Sequence, residues 1–167
     1  PRFHEHPAFV WAPPAGNLPR VLLLGDSIST SYTIGVRQRF EDIAHVFRAP
    51  DNCRSTRQTL EDLETWLGAG DWDVIHINCG IHDLTLMDTA HRAAVDDDVA
   101  IRRNEDIDAY NRAAAEVMVR HRVTVNDLHT LVRAHGAPLW ADGVHFTDEG
   151  AGHLADAVAA AIRTELG

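Results

Sequence analysis

Two runs of consecutive apolar residues constrain the fold of this chain more than any other feature. Val21–Leu24 are all apolar and end in Gly25, and Val74–Ile77 form a similar run that ends in Asn78-Cys79-Gly80. A run without polar alternation is typical of a strand that is buried on both faces. The two segments therefore predict neighbouring strands of a parallel sheet that has helices on both sides.

Helical patterns alternate with these strands. Ser55 and Gln58 have capping-box spacing, and leucines at positions 60, 63 and 67 mark one face of a helix that Gly68 can end. Further helices are predicted to begin at caps Asn104 and Thr147. Weaker strand candidates at 44–49 and 123–125 bring the sheet to about four strands. The alternation predicts a three-layer α/β/α fold with right-handed crossovers.

The length of 167 residues and the 45% hydrophobic content favour one compact domain with a proper core. Residues 1–19 are rich in Pro and His and are predicted to form an extended N-terminal arm on a domain that spans 20–167. The apolar arm residues Phe3, Phe9, Val10 and Trp11 are expected to dock on that domain.

The charge balance argues against some partners. All 15 basic residues are Arg, against 25 acidic residues, and the net charge is −10. This disfavours nucleic acids and anionic membrane surfaces, and no apolar run approaches the roughly 18 residues of a membrane span. We expect a monomer or small homo-oligomer. The two cysteines, Cys53 and Cys79, are too few for a disulfide framework. The given sequence has no apolar leader at its start. We therefore expect no particular cellular compartment from the sequence.

Polar residues follow the predicted first strand, where parallel α/β proteins bind ligands. Gly25-Asp26-Ser27 places a serine on a strand-to-helix turn, with its hydroxyl near the N–H groups of a helix N-terminus. This arrangement suits a nucleophile whose oxyanion is held by local N–H groups. Alternatively, Ser27 is only the cap of the following helix.

A second candidate lies just before the predicted last helix. Asp142 and His145 are three residues apart in a short turn, so both side chains can point the same way. The carboxylate can then fix the tautomer of the imidazole, whose other nitrogen is left to face a nucleophile. The alternative is a surface turn in which Asp142 bonds only nearby backbone.

Three blocks together carry a family resemblance. These are Gly25-Asp26-Ser27-Ile28, Asn78-Cys79-Gly80-Ile81-His82-Asp83 and Asp142-Gly143-Val144-His145-Phe146. In their order and placement, over about residues 21–166, the chain resembles the SGNH (GDSL-type) serine hydrolases. The resemblance implies a flavodoxin-like three-layer fold and a catalytic triad of Ser27, His145 and Asp142.

The resemblance also implies an oxyanion hole, from which this sequence departs. The family uses the N–H of the nucleophile, a glycine N–H after the second strand and an asparagine side chain. Here Ser27 supplies the first, Cys53 stands at the glycine position and His82 stands at the asparagine position. An imidazole N–H can donate as an amide does. Alternatively His82 only fixes its turn, and Asn78 or Asn52 is the donor.

The expected substrate is a small acyl ester, with acetylated carbohydrate as one candidate, and no cofactor is expected. Asp26, Ile28, Trp140 and Val144 are predicted to line the pocket. Only about 20 residues, from Asp83 to Asn104, separate the block after the predicted strand at 74–77 from the next predicted helix. This is too few for a full crossover unit, so one strand–helix unit is predicted to be lost or reduced to 99–101. The shortened sheet favours an alternative function, in which the protein is a catalytically weak or inactive module that binds carbohydrate or ester on the same scaffold.

Other polar clusters are interpreted as solvated. His4-Glu5-His6 lies in the arm, and His82-Asp83 lacks the helical context of a metal-binding His-Asp pair. The acidic run 96–98 lacks calcium-loop spacing. No metal site is predicted from these residues.

Overall fold

The computed structural model of the protein describes residues 5–11, 13–14, 16–84 and 103–167. Within these ranges the chain forms three strands: β1 (Arg20–Gly25), β2 (His45–Arg48) and β3 (Val74–Asn78). The same ranges contain five α-helices: α1 (Ser27–Arg39), α2 (Thr56–Leu67), α3 (Asn104–His121), α4 (Leu128–His135) and α5 (Asp148–Leu166). Short 3₁₀ turns lie at Pro7–Phe9, Ile81–Leu84 and Ala137–Leu139.

The sheet is parallel, with strand order β2-β1-β3. Val21 of β1 pairs with Val46 on one side and with Val74 on the other. Helices α1 and α5 cover one face and α2 covers the other. The predicted three-layer α/β/α class is confirmed, and the candidate at 44–49 is confirmed as β2.

Alternate residues of β1 enter two separate cores. Val21 and Leu23 face α1 and α5, where they pack in a cluster that includes Tyr32, Val36, Leu154, Val158 and Ile162. Leu22 and Leu24 face the other way and pack with Phe47, Ala49 and Cys53, against which Leu63, Trp66, Leu67 and Trp72 lie. The continuous apolar run of β1 therefore reflects burial on both faces, as predicted.

The prediction that β3 is buried on both faces is wrong, because the side chains on one face are exposed and those on the other are only partly buried. Its residues pair in register with β1, so Ile75 and Ile77 lie on the same side as Leu22 and Leu24. Ile75 is 45% exposed and Ile77 is 46% exposed. Helix α2 covers β1 and β2 on that side and leaves these two side chains uncovered.

The weak strand candidate at 123–125 is wrong, so the described sheet has three strands and not about four. Arg122 ends α3 in the left-handed conformation (φ 57°), and Val123 and Val125 are about half exposed after it. This segment reaches β3 through the Asn126 side chain, whose Nδ2 lies 3.3 Å from His76 Nε2, and forms no ladder. The reduced unit predicted at 99–101 lies outside the described residues.

The capping signals have different outcomes. Ser55 and Gln58 form the predicted capping box of α2, and Thr147 caps α5 by accepting from Gly150 N–H at 3.1 Å. The predicted Asn104 cap is wrong by one residue, because α3 begins at Asn104 and Arg103 precedes it without a side-chain cap. No described helix combines the length and apolar character needed to cross a bilayer.

The described part of the N-terminal arm docks on α1 and β2. Ala8 is completely buried, the Arg48 guanidinium lies 4.8 Å from the Phe9 ring centre, and Arg37 donates to the Pro7 carbonyl at 3.1 Å. The expected docking of Val10 and Trp11 is wrong, because both side chains are exposed. Phe3 lies outside the described residues.

His76 is predicted to make the fold sensitive to acid. It lies in β3 beside the Tyr32 ring, and burial lowers its pKa from 6.5 to about 4. The unfolded chain therefore takes up a proton near pH 6.5, whereas the folded chain takes it up only near pH 4. The free energy of unfolding should fall by about 3 kcal/mol over this interval and stay at its full value above it. Urea unfolding at pH 7 and pH 4.5 measures this loss.

The variant His76→Gln should lose much less stability between these two pH values than the wild type. The control His121→Gln removes an exposed histidine at the end of α3 and should keep the wild-type pH dependence. An equal loss in His76→Gln and wild type would assign the acid sensitivity to other groups.

Candidate active site

Ser27 is the first residue of α1, and only Asp26 separates it from the end of β1. The cap of α1 is Asp26, whose Oδ1 accepts from Ile28 N–H at 2.9 Å. The alternative in which Ser27 caps the helix is therefore wrong, and its hydroxyl is not used in capping. Ser27 Oγ instead lies 3.0 Å from His145 Nε2.

The turn at Asp142–His145 is held by one carboxylate. Asp142 Oδ1 accepts from the N–H groups of Val144 and His145, both at 2.7 Å, and Oδ2 lies 2.8 Å from His145 Nδ1. The two backbone bonds and then the His145 side chain lower the pKa of Asp142 from 3.8 to about 2. The carboxylate thus stays ionised and accepts from Nδ1, which leaves the lone pair of Nε2 facing Ser27.

The structure brings together the three residues predicted as a triad. They come from the turn between β1 and α1 and from the loop before α5, which are more than 100 residues apart in sequence. The turn of His145 is braced by a bridge between Trp140 and Phe146, whose rings lie 4.5 Å apart. The site is shallow and open, since the side chains of His145 and Asp142 are 46% and 55% exposed.

The residues predicted to line a pocket have different environments. Ile28, Trp140 and Val144 are half-buried around the triad, and the first two also pack against the core of α1 and α5. Asp26 is completely buried, so its prediction as a pocket residue is wrong. Its carboxylate lies beneath the turn, and burial raises the pKa of Asp26 above 3.8, an effect partly opposed by the Ile28 N–H and by His82, Arg48 and His145.

The prediction that Cys53 offers a free N–H is also wrong. Cys53 N–H donates to the Gly25 carbonyl at 3.2 Å, and Gly25 N–H donates back to Cys53 Sγ at 3.0 Å. These bonds extend the pairing between β1 and the chain after β2. Cys53 is completely buried there. The residue with a glycine-like backbone in this loop is Arg54, with φ 53°.

The two candidate amide donors lie on either side of the first strand. Asn78 ends β3 in register with Gly25, and its side chain is half-buried. Asn52 follows β2, and its Oδ1 accepts from Arg54 N–H at 2.9 Å. This bond orients the Asn52 amide within its own loop.

His82 lies beside the turn between β1 and α1, which carries Ser27. It belongs to the 3₁₀ turn Ile81–Leu84, and its Nε2 is 3.9 Å from Asp26 Oδ2. Asp26 Oδ2 is buried and has no hydrogen-bond partner among the described residues. The imidazole is therefore adjacent to the residue that precedes Ser27.

The neighbouring Asp83 fixes the turn that carries His82. Its carboxylate accepts from the Thr56 N–H and hydroxyl at 3.1 and 3.0 Å, and from Tyr110 OH at 2.9 Å. Burial is the main cause that raises the pKa of Tyr110 to about 12, so this hydroxyl remains a donor. Asp83 thus joins the turn to the start of α2 and to α3, a role that sequence reasoning had considered for His82.

Sequence reasoning missed Arg48 as well as Asp83. Arg48 ends β2, and its buried guanidinium donates to the carbonyls of Gly25 and Asp26 at 2.9 and 3.1 Å. The sequence did contain a signal, since Arg48 stands near the end of a predicted strand whose residues face the core. A cation buried at such a position requires hydrogen-bond acceptors.

The described residues contain no group of three His, Cys, Asp or Glu side chains that could hold a metal ion. His6 uses its Nδ1 to accept from Ala8 N–H at 3.1 Å. His4 and the acidic run 96–98 lie outside the described residues. No protein-family model matches this sequence, and neither does any curated protein. Functional conclusions therefore depend on the geometry of the site.

Gly25 is predicted to be required for the stability of the turn between β1 and α1. A Cβ at this position would lie 2.5 Å from the Asn78 carbonyl oxygen and 2.6 Å from Ser29 Oγ, so Gly25→Ala should cost at least about 1–3 kcal/mol of stability. Gly143→Ala is the matched control, since a Cβ there meets no described atom within 4 Å. Urea unfolding measures both, and equal midpoints would contradict the close approach of β1 to β3 and α1.

Proposed function

We propose that this protein is a serine esterase of the SGNH (GDSL-type) class that hydrolyses small acyl esters, with acetylated carbohydrate as a candidate substrate. The observation that carries the proposal is the continuous relay from Ser27 Oγ to His145 Nε2 at 3.0 Å and from His145 Nδ1 to Asp142 Oδ2 at 2.8 Å. Such a relay activates a hydroxyl that is a weak nucleophile on its own.

In the first half-reaction, Ser27 Oγ attacks the ester carbonyl while His145 Nε2 takes the hydroxyl proton. Asp142 accepts from Nδ1–H and stabilises the imidazolium that forms. The tetrahedral intermediate then collapses, His145 returns the proton to the leaving alkoxide, and the acyl group stays on Ser27. In the second half-reaction, His145 takes a proton from water, which attacks the acyl carbon. The bond from that carbon to Ser27 Oγ then breaks, His145 returns the proton to Oγ, and the acid is released.

The oxyanion needs donors near Ser27. The Ser27 N–H lies in the first turn of α1, where N–H groups have no intrahelical acceptor, and it points to the helix N-terminal side. His82 is the second donor that we propose, since its turn is already held by Asp83 and its imidazole is adjacent to Asp26. Cys53 N–H is omitted because it is bonded to Gly25.

The surroundings of the relay favour small uncharged esters. The exposure of His145 and Asp142 leaves the reacting groups open to solvent, so that an acyl group on a larger alcohol could reach Ser27. The net charge of −10 disfavours strongly anionic substrates.

A second candidate function is a binding module for esters or carbohydrates on the same scaffold, with little turnover. The engaged Cys53 N–H favours it, since one backbone donor of the hole implied by the family resemblance is missing. Covalent chemistry at Ser27 distinguishes the two candidates, because a binding module needs no activated hydroxyl.

Replacement of Ser27 tests the esterase proposal directly. Ser27→Ala should abolish hydrolysis of p-nitrophenyl acetate and labelling by a fluorophosphonate probe, with an unchanged melting temperature. Ser31→Ala is the matched control: Ser31 is an exposed serine of the same helix, and its hydroxyl bonds only the Ile28 carbonyl one turn away. Labelling of wild type and Ser31→Ala is read by intact-protein mass. Turnover that persists in Ser27→Ala would refute the proposal.

Replacement of His82 tests the second oxyanion donor. Loss of one donor lowers kcat by about 10²–10³-fold, so His82→Ala should lose kcat with little change in KM or melting temperature. His82→Asn should recover part of the rate, because an amide can donate from the same place. If His82→Ala keeps its kcat while Asn78→Ala or Asn52→Ala loses it, an amide and not the imidazole completes the hole.

A further inference from the structure

Arg48 places a positive charge in the interior, against the backbone of the turn that carries Ser27. It is 7% exposed, and its guanidinium donates to the carbonyls of Gly25 and Asp26 and to Ser29 Oγ. The Phe9 ring of the N-terminal arm covers it at 4.8 Å. These contacts place the cation between the arm and the turn that presents Ser27.

The charge of Arg48 is not neutralised by a carboxylate at close range. Within the described residues no Asp or Glu oxygen lies within 4.0 Å of a guanidinium nitrogen of Arg48, and its Nε has no hydrogen-bond partner there. A buried cation without a counter-ion costs free energy unless hydrogen bonds compensate for it. Arginine keeps its proton at neutral pH, so the field of this charge acts on the turn.

The Asp26 carbonyl is the main acceptor in this arrangement. Besides Arg48, it accepts from the Ser29 hydroxyl at 2.8 Å, the Thr30 N–H at 3.1 Å and the Thr30 hydroxyl at 3.2 Å. This carbonyl belongs to the same peptide group as the Ser27 N–H. Donors on a peptide oxygen polarise the whole amide and make its N–H a stronger donor.

We propose that Arg48 is a positioning residue of the oxyanion hole, which holds the Asp26–Ser27 peptide and polarises it so that the Ser27 N–H binds a developing oxyanion more strongly. This inference rests on the proposed esterase function, in which that N–H is a donor.

The test compares two replacements that separate charge from hydrogen bonding. Arg48→Lys keeps a cation and a donor, whereas Arg48→Gln keeps a neutral donor. The proton chemical shift of the Ser27 amide reports the polarisation of its peptide without any substrate. We expect this signal to stay near its wild-type position in Arg48→Lys and to move upfield in Arg48→Gln.

Kinetics on p-nitrophenyl acetate provide the second measurement. Arg48→Gln should lose kcat by about tenfold, less than the 10²–10³-fold lost with a complete donor, with KM nearly unchanged. Arg48→Lys should recover most of that loss. A purely structural Arg48 would instead lower the melting temperature, with equal effects of Lys and Gln on kcat and on the Ser27 signal, and this outcome would overturn the proposal.

A second variant keeps the proposal testable if neither Arg48 replacement folds. Ser29→Ala removes a hydroxyl that donates to the Asp26 carbonyl and accepts from Arg48. It should move the Ser27 amide signal upfield, whereas the control Ser31→Ala should not. An unmoved signal in Ser29→Ala overturns the inference. Failure of the fluorophosphonate probe to label wild-type Ser27, with the amide signals behaving as expected, refutes the esterase function and not the polarised peptide.

Discussion

The peptide group between Asp26 and Ser27 is the point on which the candidate site depends. Its carbonyl accepts from Arg48, Ser29 and Thr30, and the carboxylate of Asp26 caps the helix that begins with Ser27. Each of these bonds restrains the direction in which Ser27 leaves the first strand. Ser27 is therefore positioned by backbone and buried groups, although the residue itself is only partly buried.

The triad combines rigidity with exposure. Asp142 and His145 are about half exposed, a setting in which isolated ion pairs contribute little. Their geometry is nevertheless defined, because Asp142 binds two backbone N–H groups of its own turn and the Trp140–Phe146 bridge closes that turn. Local backbone bonds thus hold Asp142 and His145 in a geometry that a solvent-exposed ion pair alone would not fix.

The β3 side of the sheet is less tightly packed than the β2 side. Ile75 and Ile77 are half exposed, and α3 has no completely buried residue. What joins α3 to the site is the carboxylate of Asp83, which also binds the start of α2. The position of His82 consequently depends on a few polar bonds, whereas the position of Ser27 depends on the core.

Local sequence information was sufficient for features that neighbouring residues encode. The apolar run at 21–24 predicted a strand buried on both faces, and the short spacing from Asp142 to His145 predicted that both side chains share one direction. The caps Ser55 and Thr147 were predictable for the same reason. Each of these features is decided within one or two turns of chain.

Contacts across the sheet were decided only by the tertiary structure. Cys53 lost its predicted role because its N–H and sulfur pair with Gly25, 28 residues away. Asp26 proved to be buried, and the residues at 123–125 stay outside the sheet. The sequence by itself determined the α/β class, the positions of the three strands β1, β2 and β3, and the residues from which the esterase function is proposed. Whether a given N–H or carboxylate is free depends on what packs against it from distant segments, and no local pattern records that.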